Sequence, residues 1–391
     1  MRRKRTMHIS KLWRNAATII TAVCFIATIG CDNNKKDDVQ FEDFLAASPA
    51  GTPIEGQYIV VLKPSLSKSS AQMATEMAAL YDLQTEFIYE SALSGFSAKV
   101  PAENVEALRN DSRVSYIEQD QVVKLIPYIQ EVHAQKSLAQ STPWGITRVG
   151  GAGNGVGKTA WIIDTGIDLD HPDLTVDLAR SKSFLSGAQA TNPDDQNGHG
   201  THVAGTVAAK NDANYVVGVA AGATVVAVRV LDRRGSGTTS GVIAGVNYVA
   251  SKGVTGETAN MSLGGGVSTT LDNAVLAASS KVKFALAAGN ESDNANNHSP
   301  ARVNGTNIYT VSATNSTDVF ASFSNYGNPP VDYAAPGVSI LSLWKSGGTN
   351  TISGTSMATP HVCGILLLGN ITSSGTATGD PAAPADPIAH R

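Results

Sequence analysis

Short apolar runs alternate with longer helix-like stretches over residues 159–368, and this alternation constrains the fold more than any other feature. Strand-like runs occupy residues 159–163, 225–231, 257–263, 282–288 and 308–313. Predicted helices lie among and after them, at residues 199–210, 238–252, 271–280 and 356–368. Such alternation predicts a mostly parallel sheet with right-handed crossovers and helices on both faces. The composition agrees, because 42% hydrophobic against 16% charged residues suits one large α/β core.

A carboxylate follows the first of these strands. Residues 159–163 form an uncharged, largely apolar run that is typical of a strand buried on both faces, and Asp164 comes directly after it. Open α/β sheets carry their working residues at the carboxyl ends of the strands. An isolated aspartate in this place is more often a turn or helix-cap residue, so the meaning of Asp164 depends on its partners.

An imidazole and a hydroxyl are the candidate partners. The small residues of segment 197–206 let a helix start pack tightly and leave His199 at its tip. Segment 354–361, Gly-Thr-Ser-Met-Ala-Thr-Pro-His, puts Ser356 at the mouth of an apolar helix. The first turn of a helix offers unpaired N–H donors and a partial positive charge to a developing oxyanion. The chain therefore holds a carboxylate, an imidazole and a hydroxyl, in that order.

These segments resemble the motifs of the subtilisin family of serine proteases, and most closely its proteinase K-like branch. The motifs are Ile-Asp-Thr-Gly-Ile at 163–167, His-Gly-Thr-His-Val-Ala-Gly at 199–205 and the serine motif at 354–361. The order Asp, His, Ser is the subtilisin order and differs from that of other folds with the same three groups. The resemblance implies a serine endopeptidase that hydrolyses peptide bonds through an acyl-enzyme and needs no cofactor for catalysis.

The same resemblance implies a role for each of four residues. Ser356 is the nucleophile, His199 is the general base, and Asp164 orients the imidazole. Asn290, at the end of another strand-like run, donates its side-chain N–H to the oxyanion together with the backbone N–H of Ser356. An asparagine beside a glycine can also be a simple turn residue, which is the alternative for Asn290.

A second glycine-rich strand end predicts where substrate binds. Segment 260–266, Asn-Met-Ser-Leu-Gly-Gly-Gly, lets another backbone approach closely because glycine has no side chain. Such an edge accepts an extended peptide as an added strand. In the family this segment lines the cleft, which gives four predicted substrate-binding residues: Ser262, Leu263, Gly264 and Gly265. Apolar or aromatic side chains are expected before the cut bond.

Other conspicuous residues are interpreted as structural. His202 and His361 are predicted to be packed histidines, and Cys363 a small core residue. The pair His199 and His202 lacks the i, i+4 spacing and the carboxylate of a helical zinc site, so no catalytic metal is predicted. The oxygen-rich residues 168–177 are a candidate for structural calcium, although they lack the EF-hand pattern.

The first 31 residues are predicted to direct export. Six of residues 1–14 are lysine or arginine, and the apolar run 16–29 is too short for an ordinary transmembrane helix. The run ends in Thr-Ile-Gly-Cys, which resembles the bacterial lipobox and makes Cys31 the candidate for lipidation. Threonine stands at position 28, where leucine is usual. The expected location is therefore the cell envelope, through a lipid anchor, or the extracellular medium.

A small domain is predicted ahead of the peptidase. Residues 54–127 show a pattern that fits the β-α-β-β-α-β ferredoxin-like fold. They resemble the inhibitory prodomain of subtilisins, which implies a self-processing zymogen whose own prodomain is an intramolecular inhibitor. Residues 128–142 are then a processing linker, and the processing cut is predicted within residues 128–141.

The remaining boundaries follow from these predictions. Polar residues 32–53 are predicted to be a linker, residues 143–370 the peptidase domain, and residues 371–391 an irregular tail. The expected partners are polypeptide substrates, the prodomain and, through Cys31, a membrane. A net charge of −4 gives no indication of nucleic-acid binding.

Two other function classes remain as alternatives. One is a catalytically silent cell-envelope binding protein on the same fold. The other is a hydrolase of esters or lipids, which would carry a Gly-x-Ser-x-Gly elbow with its histidine after the serine, and neither feature is present.

Overall fold

The computed structural model describes residues 33–126, 129–135 and 139–391. Helix α1 (Asn33–Ala47) comes first, and a small amino-terminal domain follows it. The elements of that domain are β1 (Pro53–Leu62), α2 (Ser70–Tyr81), β2 (Gln84–Tyr89), β3 (Gly95–Lys99), a 3-10 turn (Ala102–Asn104), α3 (Val105–Arg109) and β4 (Val114–Leu125). Its strands lie in the antiparallel order β4-β1-β3-β2, which confirms the predicted ferredoxin-like fold.

The amino-terminal domain has its own core. Helix α2 begins at a capping box, in which the Ser69 hydroxyl accepts the Gln72 N–H and the Gln72 side chain accepts the Ser69 N–H. One face of α2 buries Met73 and Met77 against the sheet, where they join Phe96. The capping box fixes the start of α2, and the buried face of α2 packs on the sheet to form the core of this domain.

The rest of the chain forms the larger domain. Its elements are β5 (Ile129–Gln135), α4 (Trp144–Arg148), β6 (Gly153–Asn154), β7 (Thr159–Asp164), β8 (Thr175–Val176), β9 (Lys182–Ser183), a 3-10 turn (Gly187–Gln189), α5 (His199–Ala208), β10 (Ala220–Ala221), β11 (Thr224–Arg229), β12 (Ser236–Thr238), α6 (Thr239–Lys252), β13 (Thr258–Met261), β14 (Leu263–Gly265), α7 (Thr269–Ala278), β15 (Lys283–Ala287), a 3-10 turn (Ala295–Asn297), β16 (Ile308–Thr314), β17 (Val331–Pro336), β18 (Ile340–Trp344), β19 (Gly348–Ser353), α8 (Thr355–Leu368), β20 (Thr372–Thr376) and β21 (Pro387–His390).

The main sheet has the order β20-β21-β17-β16-β15-β13-β7-β11-β8, with β9 also paired to β11. Every neighbouring pair from β21 to β8 is parallel, whereas β20 pairs antiparallel with β21. The predicted mostly parallel α/β sheet is confirmed, and all the predicted strands and helices of this domain lie within two residues of observed bounds.

Two apolar layers cover the two faces of this sheet. Along β7, Ala160 and Ile162 pack in the cluster that includes α5 and α8, while Trp161 and Ile163 pack in the cluster that includes α6 and α7. This alternation follows from the two-residue period of a strand. Because both faces of the sheet are covered by apolar side chains, polar side chains that contact a substrate must lie at the ends of the strands.

The carboxyl-terminal stretch is not the irregular tail that its composition predicted. Residues 371–391 contain β20 and β21, and β21 extends the main sheet through its parallel pairing with β17. The buried Asp386 carboxylate accepts hydrogen bonds from the Ser312 hydroxyl and from the Asn328 amide. A buried polar anchor, which composition does not show, therefore fixes this segment.

Two predicted linkers also contain regular structure. The predicted linker 32–53 includes the fifteen-residue helix α1, which packs on the domains that follow it. The predicted processing linker 128–142 includes β5, which pairs antiparallel with β19, just ahead of Ser356. Neither segment has the strong hydrophobic periodicity of the core helices and strands. Contacts with other parts of the chain stabilise them instead, and such contacts leave no clear pattern in the sequence.

Replacing Asp386 with asparagine is expected to change how stability depends on pH. Burial raises the pKa of Asp386 to about 7. A raised native-state pKa means that its contribution to stability is fully present below pH 4 and is lost as the pH rises towards 7. In the Ser356→Ala background, which avoids self-digestion, Asp386→Asn should gain on the order of 3 kcal/mol relative to its parent between pH 4 and 8. Urea unfolding at both pH values measures this, and a parallel response of the two proteins would contradict it.

Candidate active site

Asp164 and His199 meet at the carboxyl edge of the main sheet. Asp164 is the last residue of β7, and His199 is the first residue of α5. Both are fully buried, and His199 Nδ1 lies 2.8 Å from Asp164 Oδ1. The same carboxylate oxygen accepts the Thr165 N–H at 2.7 Å. Since a carboxylate only accepts, Nδ1 carries the hydrogen in this pair, and Nε2 of the neutral ring is left as the basic nitrogen.

A glycine allows this close approach of helix and strand. The Gly200 N–H donates to the Thr165 hydroxyl at 3.0 Å, so the first turn of α5 lies directly on the turn after β7. A Cβ on Gly200 would overlap the carbonyl oxygen of Gly166. Any side chain at position 200 would therefore push His199 away from Asp164.

Asp195 fixes the loop that leads into α5, and the sequence analysis did not identify it. Its Oδ1 accepts the N–H groups of Asn197 and Gly198 and the Thr165 hydroxyl, each at 2.9 Å. Its Oδ2 accepts both the N–H and the hydroxyl of Thr201. Burial raises the pKa of Asp195, and these hydrogen bonds oppose that rise. An aspartate four residues before the histidine, in a stretch rich in polar residues, was the only available signal.

Ser356 lies at the start of α8 and contacts the substrate segment predicted from the sequence. Its hydroxyl donates to the Ser262 carbonyl at 3.3 Å, and the Ser262 hydroxyl donates to the Ser356 carbonyl at 3.0 Å. The Ser356 carbonyl is free of a helical partner because Pro360, four residues later, has no N–H. The proline thus leaves a carbonyl that ties the serine to the end of β13.

The Asn290 side chain is oriented by α8. The Thr355 N–H donates to Asn290 Oδ1 at 2.9 Å, and the Gly289 N–H donates to the Thr355 hydroxyl at 3.2 Å. The first contact joins Asn290 to the residue that precedes Ser356. Gly289 has a φ of +113°, a conformation that glycine adopts without strain. The start of α8 therefore holds the Asn290 side chain, whose role as an oxyanion donor stays a prediction.

The cleft between two short edge strands is filled by the chain itself. Strand β4 pairs antiparallel with β14, where Leu125, Lys124 and Val123 lie opposite Leu263, Gly264 and Gly265. On its other side β4 pairs antiparallel with β12. The Leu125 N–H donates to the Gly235 carbonyl at 2.8 Å. Residues 263–265 therefore pair with an extended strand of the same chain, and the sequence did not predict the partner edge β12.

A cavity continues from the end of β4. It has a volume of about 430 Å³ and is lined by Ile126, Gly264 and residues 287–289, among others. Most of these lining groups are apolar or lack a side chain. Ile126, the residue after β4, is almost fully buried and lines this cavity. The strand therefore leads directly to the cavity.

Comparison with known families identifies both domains. Residues 157–370 match the subtilase family, and residues 57–126 match the family described as peptidase inhibitor I9. The chain belongs to the subtilase family. It is a serine peptidase with an inhibitor-type prodomain ahead of the catalytic domain, which confirms the family and the enzyme class predicted from the motifs.

Named relatives of this subtilase are proteases of bacteria and fungi. Alkaline serine exoprotease A of Vibrio alginolyticus is 40% identical over 381 residues, which cover 90% of this chain and 68% of that protein. The subtilisin-like serine protease AsES of Sarocladium strictum is 44% identical, covering 80% of this chain and 79% of that protein. The extracellular serine proteinase of a Thermus strain is 38% identical, covering 86% of each chain.

A solved structure supports the fold. The crystal structure of a cold adapted subtilisin-like serine proteinase is 47% identical, with a TM-score of 0.51, and the match covers 57% of this chain and 83% of that chain. Together with the family matches, this likeness confirms the predicted proteinase K-like resemblance.

Two carboxylates of the subtilase prodomain contact helix starts of the catalytic domain. Glu118 accepts hydrogen bonds from Ser268 and Thr270 at the start of α7, and Asp120 accepts the Ser240 N–H at the start of α6. Negative charge is favourable at a helix amino terminus. Burial nevertheless raises the pKa of Asp120 to about 6. The prodomain carboxylates therefore accept hydrogen bonds from donors at the first turns of α6 and α7.

His202, His361 and Cys363 are packed in the core, as their sequence positions predicted. His202 Nε2 lies 3.0 Å from the Ile340 carbonyl, and burial lowers its pKa to about 3. His361 Nδ1 lies 2.9 Å from the Met357 carbonyl, and burial lowers its pKa to about 4. Cys363 is buried, and its pKa is raised to about 12. These groups are neutral at pH 7 and do not compete with His199.

Within residues 33–126, 129–135 and 139–391, no group of three or more histidine, cysteine, aspartate or glutamate residues is suited to hold a metal ion. None of the helices in these ranges has the length and apolar character needed to cross a membrane. Cys31 and the rest of the predicted export signal lie outside the described residues.

Proposed function

We propose that this subtilase is a serine endopeptidase in which Asp164, His199 and Ser356 act together on peptide bonds. The 2.8 Å contact between His199 Nδ1 and Asp164 Oδ1 carries the proposal, because it fixes the tautomer in which Nε2 can take a proton. Labelling by a fluorophosphonate tests it: the purified active protein should form one adduct, on Ser356, with loss of peptidase activity. An adduct on another residue would contradict it.

The proposed reaction has two stages. The Ser356 hydroxyl attacks the carbonyl carbon of the substrate, and its proton passes to His199 Nε2. The tetrahedral intermediate collapses as the imidazolium donates that proton to the leaving amine, which gives an acyl-enzyme. A water molecule, deprotonated by His199, then releases the acid and restores the hydroxyl. Asp164 stabilises the imidazolium and keeps its own charge throughout.

The oxyanion of each intermediate is assigned to two donors, the Asn290 side chain and the Ser356 backbone N–H. The hydrogen bond from the Thr355 N–H to Asn290 Oδ1 supports this role, because it holds the Asn290 side chain at the residue that precedes Ser356. We therefore expect Asn290→Ala to lower kcat about 10²- to 10³-fold, with a much smaller change in KM. Steady-state hydrolysis of a peptide substrate measures both constants. The exposed Asn296→Ala is a matched control, and equal kinetics in the two variants would contradict the assignment.

Substrate is proposed to replace β4 between β12 and β14. Ser262, Leu263, Gly264 and Gly265 are the proposed binding residues on one edge, and the two-sided pairing of β4 supports them. Ile126 lines the cavity on the amino-terminal side of the proposed cut, which supports a preference for apolar or aromatic side chains on that side of the cut bond. A peptide library with varied residues at that position tests the preference.

The zymogen is proposed to process itself within residues 128–141. The position of β4 in the cleft supports an inhibitory role for the prodomain, and the inhibitor family match agrees with that role. Pro127 follows Ile126, and its nitrogen carries no hydrogen, which disfavours the Ile126–Pro127 bond as the cut. Amino-terminal sequencing of the mature protein identifies the bond.

Lipidation of Cys31 is proposed as the means of attachment to a bacterial cell envelope, with release to the medium as the alternative. Cys31 lies before the prodomain, and the proposed cut lies after the prodomain. A lipid on Cys31 would therefore stay attached to the prodomain fragment after processing. Mass spectrometry of the amino-terminal fragment tests this: the expected mass includes diacylglycerol, and an unmodified fragment would contradict it.

Structural calcium at residues 168–177 remains a hypothesis. Asp168 Oδ2 accepts the Gly347 N–H, and Asp177 accepts two hydrogen bonds from Arg180, so these carboxylates already serve protein donors and do not fit a calcium cage. Melting curves with chelator, then with calcium or magnesium restored, test it.

The alternative of a catalytically silent binding protein is not favoured, because the named relatives are proteases.

A further inference from the structure

Helix α1 lies ahead of the inhibitor-family match, which begins at residue 57, yet it packs on the strand that fills the cleft. Leu45 is buried against Ile54 and Val122, and Phe41 packs on the same small cluster. Val122 belongs to β4 and lies opposite Thr238 of β12. Apolar side chains of α1 therefore hold β4 close to its pairing with the catalytic domain.

Backbone contacts reinforce the same point on β4. The Gly51 N–H donates to the Val122 carbonyl at 2.8 Å, and the Val122 N–H donates to the Thr52 carbonyl at 2.9 Å. Two residues further along β4, Lys124 Nζ donates to the Ala46 carbonyl near the end of α1 at 2.7 Å. Residues 46–52 thus bind both the backbone and a side chain of the strand.

The other side of α1 contacts the catalytic domain. Asp43 Oδ1 lies 2.7 Å from Arg234 Nη1, and Glu42 accepts a hydrogen bond from Gln189 Nε2 at 2.7 Å. A second Glu42 oxygen lies 3.8 Å from Arg234. Arg234 stands in the turn that leads into β12, so α1 binds the very edge with which β4 pairs.

We propose that residues 33–52, here named the amino-terminal clamp, are a second inhibitory element that holds β4 in the substrate cleft. The clamp contacts the cleft strand, the edge strand beside it and the loop at Gln189, so it joins the two domains outside the inhibitor proper. The inference rests on the proposed inhibitory role of the prodomain. Its expected consequence is that the prodomain leaves the catalytic domain faster when the clamp is weakened.

Hydrogen exchange in the uncut Ser356→Ala chain tests the clamp without any need for activity. The clamp variant carries Asp43→Asn and Leu45→Ala, and the control carries Glu103→Gln and Leu66→Ala, both at exposed prodomain positions. The Leu125 amide, which bonds across the domain boundary, should exchange about tenfold faster in the clamp variant, and the control should match the parent. Unchanged exchange at Leu125 in the clamp variant would overturn the proposal.

The Val60 amide, inside the sheet of the prodomain, separates a clamp from simple destabilisation. Val60 pairs with Phe96 and with Ile117 within that sheet. Its exchange should stay at the parental rate in the clamp variant. Equal acceleration at Val60 and Leu125 would mean that the substitutions unfold the prodomain, and this result would also overturn the proposal.

Activation of the catalytically competent chain provides a second readout. Both clamp substitutions lie ahead of the proposed processing cut, so the mature enzyme is unchanged and its final activity should equal that of the wild type. The lag before peptidase activity appears should shorten about tenfold in the clamp variant.

The salt dependence of the lag is a further test of the clamp. Exposed charges are screened by salt, so about 0.5 M NaCl should shorten the wild-type lag and affect the clamp variant less. An unaltered lag would overturn the proposal, whereas a chain without any peptidase activity would contradict the proposed function and leave the exchange experiment decisive.

Discussion

The Ser356→Ala chain is expected to accumulate as an uncut precursor and to show no measurable peptidase activity. The Ser356 hydroxyl is the proposed nucleophile, and its loss should lower kcat by at least about 10⁴-fold, because the acyl-enzyme can no longer form while the proposed oxyanion donors remain. Gel electrophoresis and intact mass of the purified chain over several days measure the processing. Hydrolysis of a fluorogenic peptide measures the activity.

Ser280→Ala is the matched control for this experiment. Ser280 is exposed near the end of α7, and its hydroxyl bonds only the local Ala277 carbonyl. The control should process and hydrolyse peptides as the wild type does. If the Ser356→Ala chain were cut at the same bond and rate as the control, the assignment of the nucleophile would be wrong.

Asp164→Asn is expected to slow self-processing about 10⁴-fold while leaving the fold intact. The asparagine side chain can donate its N–H to His199 Nδ1, which moves the ring hydrogen to Nε2 and removes the base that Ser356 needs. The rate constant for conversion of purified precursor measures this effect without reference to substrate affinity. Circular dichroism should give a melting temperature close to that of the wild type, since the two side chains have nearly the same size.

An exposed aspartate provides the comparison for Asp164. Asp212 is exposed and accepts the Asn214 N–H in a local turn that follows the last residue of α5, whereas His199 is the first residue of that helix. Asp212→Asn should process at the wild-type rate. A processing rate for Asp164→Asn within tenfold of this control would show that the 2.8 Å contact does not set the protonation of His199.

The sequence was sufficient for the elements that depend on local pattern. Apolar runs such as residues 159–163 place strands within two residues, because a buried parallel strand is almost continuously apolar. The proposed catalytic residues Asp164, His199 and Ser356 stand at the ends of such elements, within short glycine-containing motifs. The approach of Asn290 to the start of α8 was predictable for the same reason.

Features that depend on contacts between distant segments were not predictable. The residues of α1 show little amphipathic pattern, and the helix is stabilised by docking on Val122 and Arg234. Strand β21 lies in a stretch rich in proline and alanine, and its place in the sheet depends on the buried bond between Asp386 and Ser312. The role of β12 likewise appears only when β4 is seen beside it.

Strand β4 is shared between two sheets, and this has a consequence for biosynthesis. The ribosome makes residues 53–125 well before it makes the edges at β12 and β14, so the central strand is available as a template when its neighbours emerge. A circular permutant that delivered β4 last would have to thread that strand between two finished edges. The natural gene order therefore favours assembly of the cleft around its first occupant.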